Sequence, residues 1–102
     1  MEVRVAQDYD LVAVNDNNTW VMLSVGSGFE GPAQWSGDAF FGSKATLLGD
    51  VNGDGRADLV GVNDNNTWVM LSTGNGFERP APWSGVAFFG TKATLLGCIA
   101  PI

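Results

Sequence analysis

Short apolar runs separated by clusters of glycine, asparagine and aspartate recur along the whole chain, and nowhere does an apolar stripe with helical spacing persist. Ala45-Thr-Leu-Leu48, Leu59-Val-Gly-Val62 and Thr67-Trp-Val-Met-Leu-Ser72 have the length and the branched or aromatic character of strands. In the last of these, Trp68 and Met70 point one way and Val69 and Leu71 the other, so both faces of the sheet need covering. The pattern predicts strands over about Lys44–Val51, Ala57–Asn63, Thr67–Thr73 and Gly76–Trp83. Pro80 and Pro82 put the fourth at a sheet edge, because a proline cannot donate to an interior ladder. Asp64-Asn-Asn66 and Gly74-Asn-Gly76 join these strands as hairpins whose residues tolerate left-handed backbone angles. The fold class predicted is all-β.

The pattern occurs twice. Shifted by 48 residues, positions 8–49 fall on 56–97 and differ at nine of 42 positions, so Asp10-Leu-Val12 meets Asp58-Leu-Val60 and Trp35-Ser-Gly37 meets Trp83-Ser-Gly85. A period of this length with several short strands per unit points to propeller blades rather than a helical solenoid. The 102 residues form one unit of two four-stranded blades, with repeat 1 at about 8–49 and repeat 2 at about 56–97. The repeats stand between two ends unlike each other, as in a fragment of a longer array or an engineered duplication.

Asp50 to Asp58 reads DVNGDGRAD and carries the clearest chemistry. Oxygen-bearing side chains at its first, third, fifth and ninth positions (Asp50, Asn52, Asp54, Asp58) have the spacing with which a tight loop wraps a hard cation, and Arg56 at the seventh would offer its backbone carbonyl. An EF-hand would need a bidentate glutamate at the twelfth position, where Gly61 stands. Two readings remain open: a structural Ca2+ site, or aspartates that accept backbone N–H bonds in a tight turn. The other copy, Glu2 to Asp10, has Arg4 for the asparagine and Ala6 for the central aspartate, so it cannot hold a divalent cation in the same way.

Composition narrows the function classes. The net charge of -6 repels a phosphate backbone, so nucleic acid is not an expected partner. No apolar run approaches the roughly 18 residues of a membrane-spanning helix. The chain has no histidine and no carboxylate pair outside the loop to serve as acid and base, so no catalysis is expected. Cys98 is the single cysteine and excludes an internal disulfide. The four tryptophans are candidate sugar platforms, because an aromatic face matches the C–H face of a pyranose. Trp35 and Trp83, at the predicted edge strand, suit that role best, whereas mid-strand Trp20 and Trp68 suit packing between blades. Asn17 and Asn65, in the hairpins, could add polar contacts to a glycan.

The string GDVNGDGRADLVG followed by TWVMLSTGNGF and a closing tryptophan resembles FG-GAP and VCBS-type repeats, and more closely the blades of bacterial PLL-type propeller lectins. The resemblance covers nearly the whole chain. It implies a β-propeller, often seven-bladed, with monosaccharide pockets between adjacent blades in the lectin members and an extracellular role. From the integrin-like members it implies calcium in the loop of Asp50, Asn52, Asp54, Arg56 and Asp58. The alternative it leaves open is a structural or protein-interaction propeller without sugar specificity.

The order of strands within the chain also predicts how it closes. Repeat 1 begins at its second strand (about Tyr9), and a lone first strand (about Lys92–Ile99) follows repeat 2. Two blades cannot curl far enough for that strand to return to its own first blade, so the expectation is a homo-oligomeric ring closed by strand exchange. Identical two-blade chains give an even blade number, with a trimer of six blades preferred over a tetramer of eight.

Overall fold

The computed structural model describes residues 9–100. These form seven antiparallel strands and no helix, in two sheets that belong to two compact units, Met1–Phe40 and Phe41–Ile102. The first sheet has the order β1 (Leu11–Val14), β2 (Thr19–Met22), β3 (Ala33–Ser36). The second has the order β4 (Ala45–Gly49), β5 (Asp58–Val62), β6 (Thr67–Met70), β7 (Ala81–Ser84). Both are meanders, and corresponding strands pair in the same register: Val12 opposite Val21, and Val60 opposite Val69.

The predicted edge strand is where it should be, since β7 ends its sheet and sets Pro82 opposite Trp68. It is shorter than expected. Beyond Met70 the third strand is reduced to an isolated bridge between Ser72 and Phe77, and regular pairing resumes only at Ala81. Glu30 N–H to Leu23 C=O and Glu78 N–H to Leu71 C=O, both 2.8 Å, hold this neck in each copy. The two repeats are therefore three and four strands among the described residues, and Lys92–Ile99 forms no strand.

The core of the second unit explains the double-sided apolar pattern. Val60, Val62 and Val69 are buried on one face of the sheet with Ala45, Leu47, Val51 and Leu71 packed against them, while Leu59 and Met70, opposite one another, are buried on the other face. All five residues of β5 are buried. Each such aliphatic side chain contributes about 1.5–3 kcal/mol when fully withdrawn from water. Trp68 lies opposite Gly61. Of the two phenylalanine pairs, Phe40 is buried, whereas Phe41, Phe88 and Phe89 are exposed.

The asparagine hairpins close without any left-handed residue, contrary to expectation, as no non-glycine residue among those described has positive φ. Asn15 N–H donates to Asn18 C=O at 2.8 Å, and the two side chains bond to each other at 2.8 Å. Asn63 and Asn66 repeat both bonds at 2.8 and 2.9 Å. The side-chain clamp replaces the tight two-residue turn that would have demanded positive φ.

Thr19 breaks the economy of the first sheet: it is fully buried and its Oγ1 has no hydrogen-bond partner. A buried hydroxyl left unsatisfied costs about 1–3 kcal/mol. Thr19→Val keeps the shape and removes the hydroxyl, so it should raise stability by about 1 kcal/mol in chemical denaturation. Thr67→Val, at the half-buried counterpart, should change stability by less than about 0.5 kcal/mol.

Candidate functional site

The edge strands carry an irregularity that the sequence did not announce. Thr19 pairs with Ser36 and Trp20 with Gln34, so Trp35 is the extra residue of a β-bulge; Thr67 pairs with Ser84 and Trp68 with Pro82, so Trp83 is the extra residue in the second copy. A bulge bends the strand and re-aims the side chain of its extra residue, and bulges concentrate at sheet edges and beside binding sites. Both sequence-candidate tryptophans are thus the re-aimed residue of an outer strand. Trp83 is 48% exposed and Trp35 half-buried. Trp20 and Trp68 sit inside the ladder opposite Ala13 and Gly61 and are half-buried, in keeping with packing.

Asn17 and Asn65 are exposed at the hairpin tips. Asn17 lines an open depression of 540 Å³ with Val14, Asn15, Asp16 and Asn18, a polar hollow with no tryptophan in its wall. The structure therefore keeps the asparagine and tryptophan candidates on different elements. In the second copy the hairpin is engaged: Ser43 N–H donates to Asn63 Oδ1 at 3.0 Å, the Ser43 hydroxyl to Asp64 at 2.9 Å, and Lys44 Nζ stands 3.8 Å from Asp64.

The Asp50–Asp58 loop brings three carboxylates together, with oxygens of Asp50, Asp54 and Asp58 all within 4.8 Å of one another, a group able to hold a metal ion. Much of its donor capacity is also used locally. Asp50 accepts the N–H groups of Gly53 (2.8 Å), Asp54 (3.2 Å) and Gly55 (2.8 Å), and Gly53 and Gly55 take positive φ to present them. Asn52 Oδ1 accepts from Asp54 N–H at 3.3 Å. Asp54 accepts from Arg56 N–H at 2.9 Å and meets the Arg56 guanidinium at 3.4 Å. Arg56 thus contributes a charge to the loop through its side chain.

Asp58 differs from the other two. It is fully buried, its Oδ2 accepts from Val51 N–H at 3.0 Å and its Oδ1 from Ser72 N–H at 2.8 Å, so it ties the loop to the neck beyond β6. Asp10 makes the equivalent bond to Ser24 N–H at 2.8 Å. The first copy has lost the asparagine and central aspartate of the loop yet keeps this ninth-position aspartate, so its structural task is independent of a cation. That contrast between copies was the available sequence signal for it. The rest of the degenerate copy, Glu2 to Asp8, lies outside the described residues.

With the fold and loop in view, the comparison with known proteins is decisive on family: residues 7–60 and residues 50–97 each match the FG-GAP-like repeat. The chain belongs to the FG-GAP-like repeat family. No curated protein and no solved structure is significantly similar to it. In this FG-GAP-like pair the strand–loop–strand unit containing the acidic loop is β4–Asp50 to Asp58–β5, followed by the β5–β6 hairpin.

The bonds to Gly55, Gly53, Asp54 and Asn52 N–H groups hold the Asp50 carboxyl below its ordinary value of 3.8. A depressed carboxylate stabilises the folded loop above the unfolded value, and the contribution is lost as pH falls through the folded one. The amide signals of Gly53 and Gly55 should accordingly titrate together with a midpoint below 3.8, and Asp50→Asn should abolish that transition while the β5 signals stay put.

Proposed function

We propose that this FG-GAP-like chain is a non-catalytic, carbohydrate-binding propeller module of the kind found in PLL-type lectins. The observation that carries the reading is the bulge: in both repeats the extra residue of the outer strand is a tryptophan, and one of the two is half exposed. A regular strand would pack that indole into the ladder. The re-aimed ring instead offers a flat apolar face with an N–H at its edge, which suits the alternating C–H and hydroxyl surface of a monosaccharide. Mono- and oligosaccharides are the ligand class. Identical weak sites repeated on one rigid ring reinforce one another at high effective concentration. In this reading the ring is built from identical two-blade chains, a trimer of six blades in preference to a tetramer of eight, and acts outside the cell.

A glycan array probed with the assembled protein tests the reading; no binding to any mono- or oligosaccharide would sink it and leave a protein-interaction propeller. Trp35→Ala with Trp83→Ala should weaken binding by about 1–3 kcal/mol, by analogy with bases stacked on aromatic side chains, with the circular dichroism spectrum of the sheets unchanged.

Calcium in the Asp50–Asp58 loop belongs to the same reading as a structural ion. Asp50, Asn52 and Asp54 would hold it, with the Arg56 carbonyl at the seventh position and Asp58 at the ninth, and it would neutralise carboxylates now crowded within 4.8 Å. A site of roughly 0.1 mM affinity gives about 1.4 kcal/mol of stabilisation at about 1 mM calcium. The melting temperature should rise on adding calcium, fall back with chelator, and lose the response in Asp54→Asn. A melting curve indifferent to both additions means the loop is closed by its own N–H bonds alone.

A further inference from the structure

We infer that Ala93–Gly97 is a donor strand that pairs antiparallel with the outer edge of β1 in a second copy of this chain, an inference that rests on the assembly reading above and specifies its contacts. Two independent surfaces within one chain point to it, and each has an internal standard in the other repeat.

The donor side is a strand sequence that forms no strand here. Ala93-Thr-Leu-Leu-Gly97 repeats Ala45-Thr-Leu-Leu-Gly49, which is β4. In β4, Leu47 packs on Val60, Val62 and Val69; Leu95, the same residue one repeat later, is 84% exposed. The turn leading into the segment is nevertheless already formed. Gly42 N–H donates to Thr46 Oγ1 at 2.9 Å ahead of β4, and Gly90 N–H donates to Thr94 Oγ1 at 3.1 Å ahead of the unpaired segment. In both turns a side chain on the glycine would run into the carbonyl of the third residue on, Ala45 or Ala93. The conformation is thus preset before any partner arrives, which lowers the entropic cost of pairing.

The acceptor side is a strand with one edge left unpaired among the described residues. Among the described residues β1 pairs with β2 alone, whereas its counterpart β5 lies between β4 and β6. The difference shows in burial: Leu59 of β5 is 2% exposed and Leu11 of β1 is 56% exposed. An open edge of this kind is a template for an added strand.

The register follows from the β4–β5 ladder, in which Ala45, Thr46, Leu47, Leu48 and Gly49 face Val62, Gly61, Val60, Leu59 and Asp58. Carried over by one repeat, Ala93, Thr94, Leu95, Leu96 and Gly97 of one copy face Val14, Ala13, Val12, Leu11 and Asp10 of the next. Leu95 then meets Val12 as Leu47 meets Val60, and a slip of one residue would turn it to the opposite face. The flanking charges agree. Lys44 reaches Asp64 and Lys44 N–H donates to Val62 C=O at 2.9 Å; the equivalent pair is Lys92 with Asp16 of the second copy. Donor and acceptor are different surfaces, so the contact is head-to-tail and propagates until the ring closes.

The test uses Cys98→Ser to remove the free thiol, then Leu11→Cys with Leu96→Cys, two exposed positions that the inferred register sets opposite one another. Oxidation should give a ladder of covalent multimers, and Leu11→Cys with Thr94→Cys, out of register, should not. Light scattering should show a multiple of the 10.8 kDa chain, and Leu95→Asp, which disturbs no packed side chain within one chain, should reduce it to a single chain with its sheets intact. A mass of one chain at all concentrations, a disulfide formed within one chain, or a multimer that survives Leu95→Asp without cross-linking would each overturn the inference. A cross-linked ladder in a preparation that binds no glycan supports the strand exchange and overturns the lectin reading alone.

Discussion

The buried carboxylate of Asp58 is the constraint around which the second sheet is arranged. A charge fully removed from water is tolerable only when hydrogen bonds replace its hydration, and here two backbone N–H groups do so, one from Val51 before β5 and one from Ser72 beyond β6. Those two groups belong to segments 21 residues apart. Fixing them to a single side chain sets the end of the β4–β5 loop, the start of β5 and the exit from β6 relative to one another. Asp58 begins β5, whose five residues are all buried. Asp10 does the same for Ser24 in the first sheet.

Seen from that anchor, the acidic loop is two devices in one string. Asp50, Asn52 and Asp54 organise the turn with side-chain oxygens that accept backbone N–H bonds, while Asp58 faces inward and fastens the loop to the sheet. A cation bound there would draw on the outer residues at the expense of their turn bonds, and on Asp58 only through oxygens that already accept. Any such ion would therefore act on the loop's rigidity more than on the sheet's existence, since the first copy builds its sheet without the full set of ligands.

What the sequence disclosed and what it hid divide along physical lines. Strand positions, the edge role of the proline-bearing strand and the two-sided burial were legible, because alternation and proline chemistry act within a few residues. The shortening of β6 and β7 was not, since the neck at Ser72 and Phe77 depends on which distant N–H finds Asp58. The bulge at Trp35 and Trp83 escaped notice for a similar reason: it is a mismatch of count between two strands, and no single strand contains it. The hairpins misled in the opposite direction. Asparagine and aspartate suggested left-handed backbone, but the residues instead clamp one another side chain to side chain.

The shared register of the two meanders has a consequence for how the chain reaches its fold. β2 and β6 are the same four residues, Thr-Trp-Val-Met, and β1 differs from the last four residues of β5 at one position, Ala13 against Gly61. During collapse β2 is almost as good a partner for β5 as for β1, and the ladders cannot tell the correct pairing from the exchanged one by side-chain fit. Discrimination falls to the short hairpins, which bring β1 to β2 and β5 to β6 before more distant segments can meet, because loop closure favours near neighbours in the chain. Lengthening either Asn-Asp-Asn-Asn hairpin would weaken the kinetic preference and trade one native topology for a mixture of swapped ones.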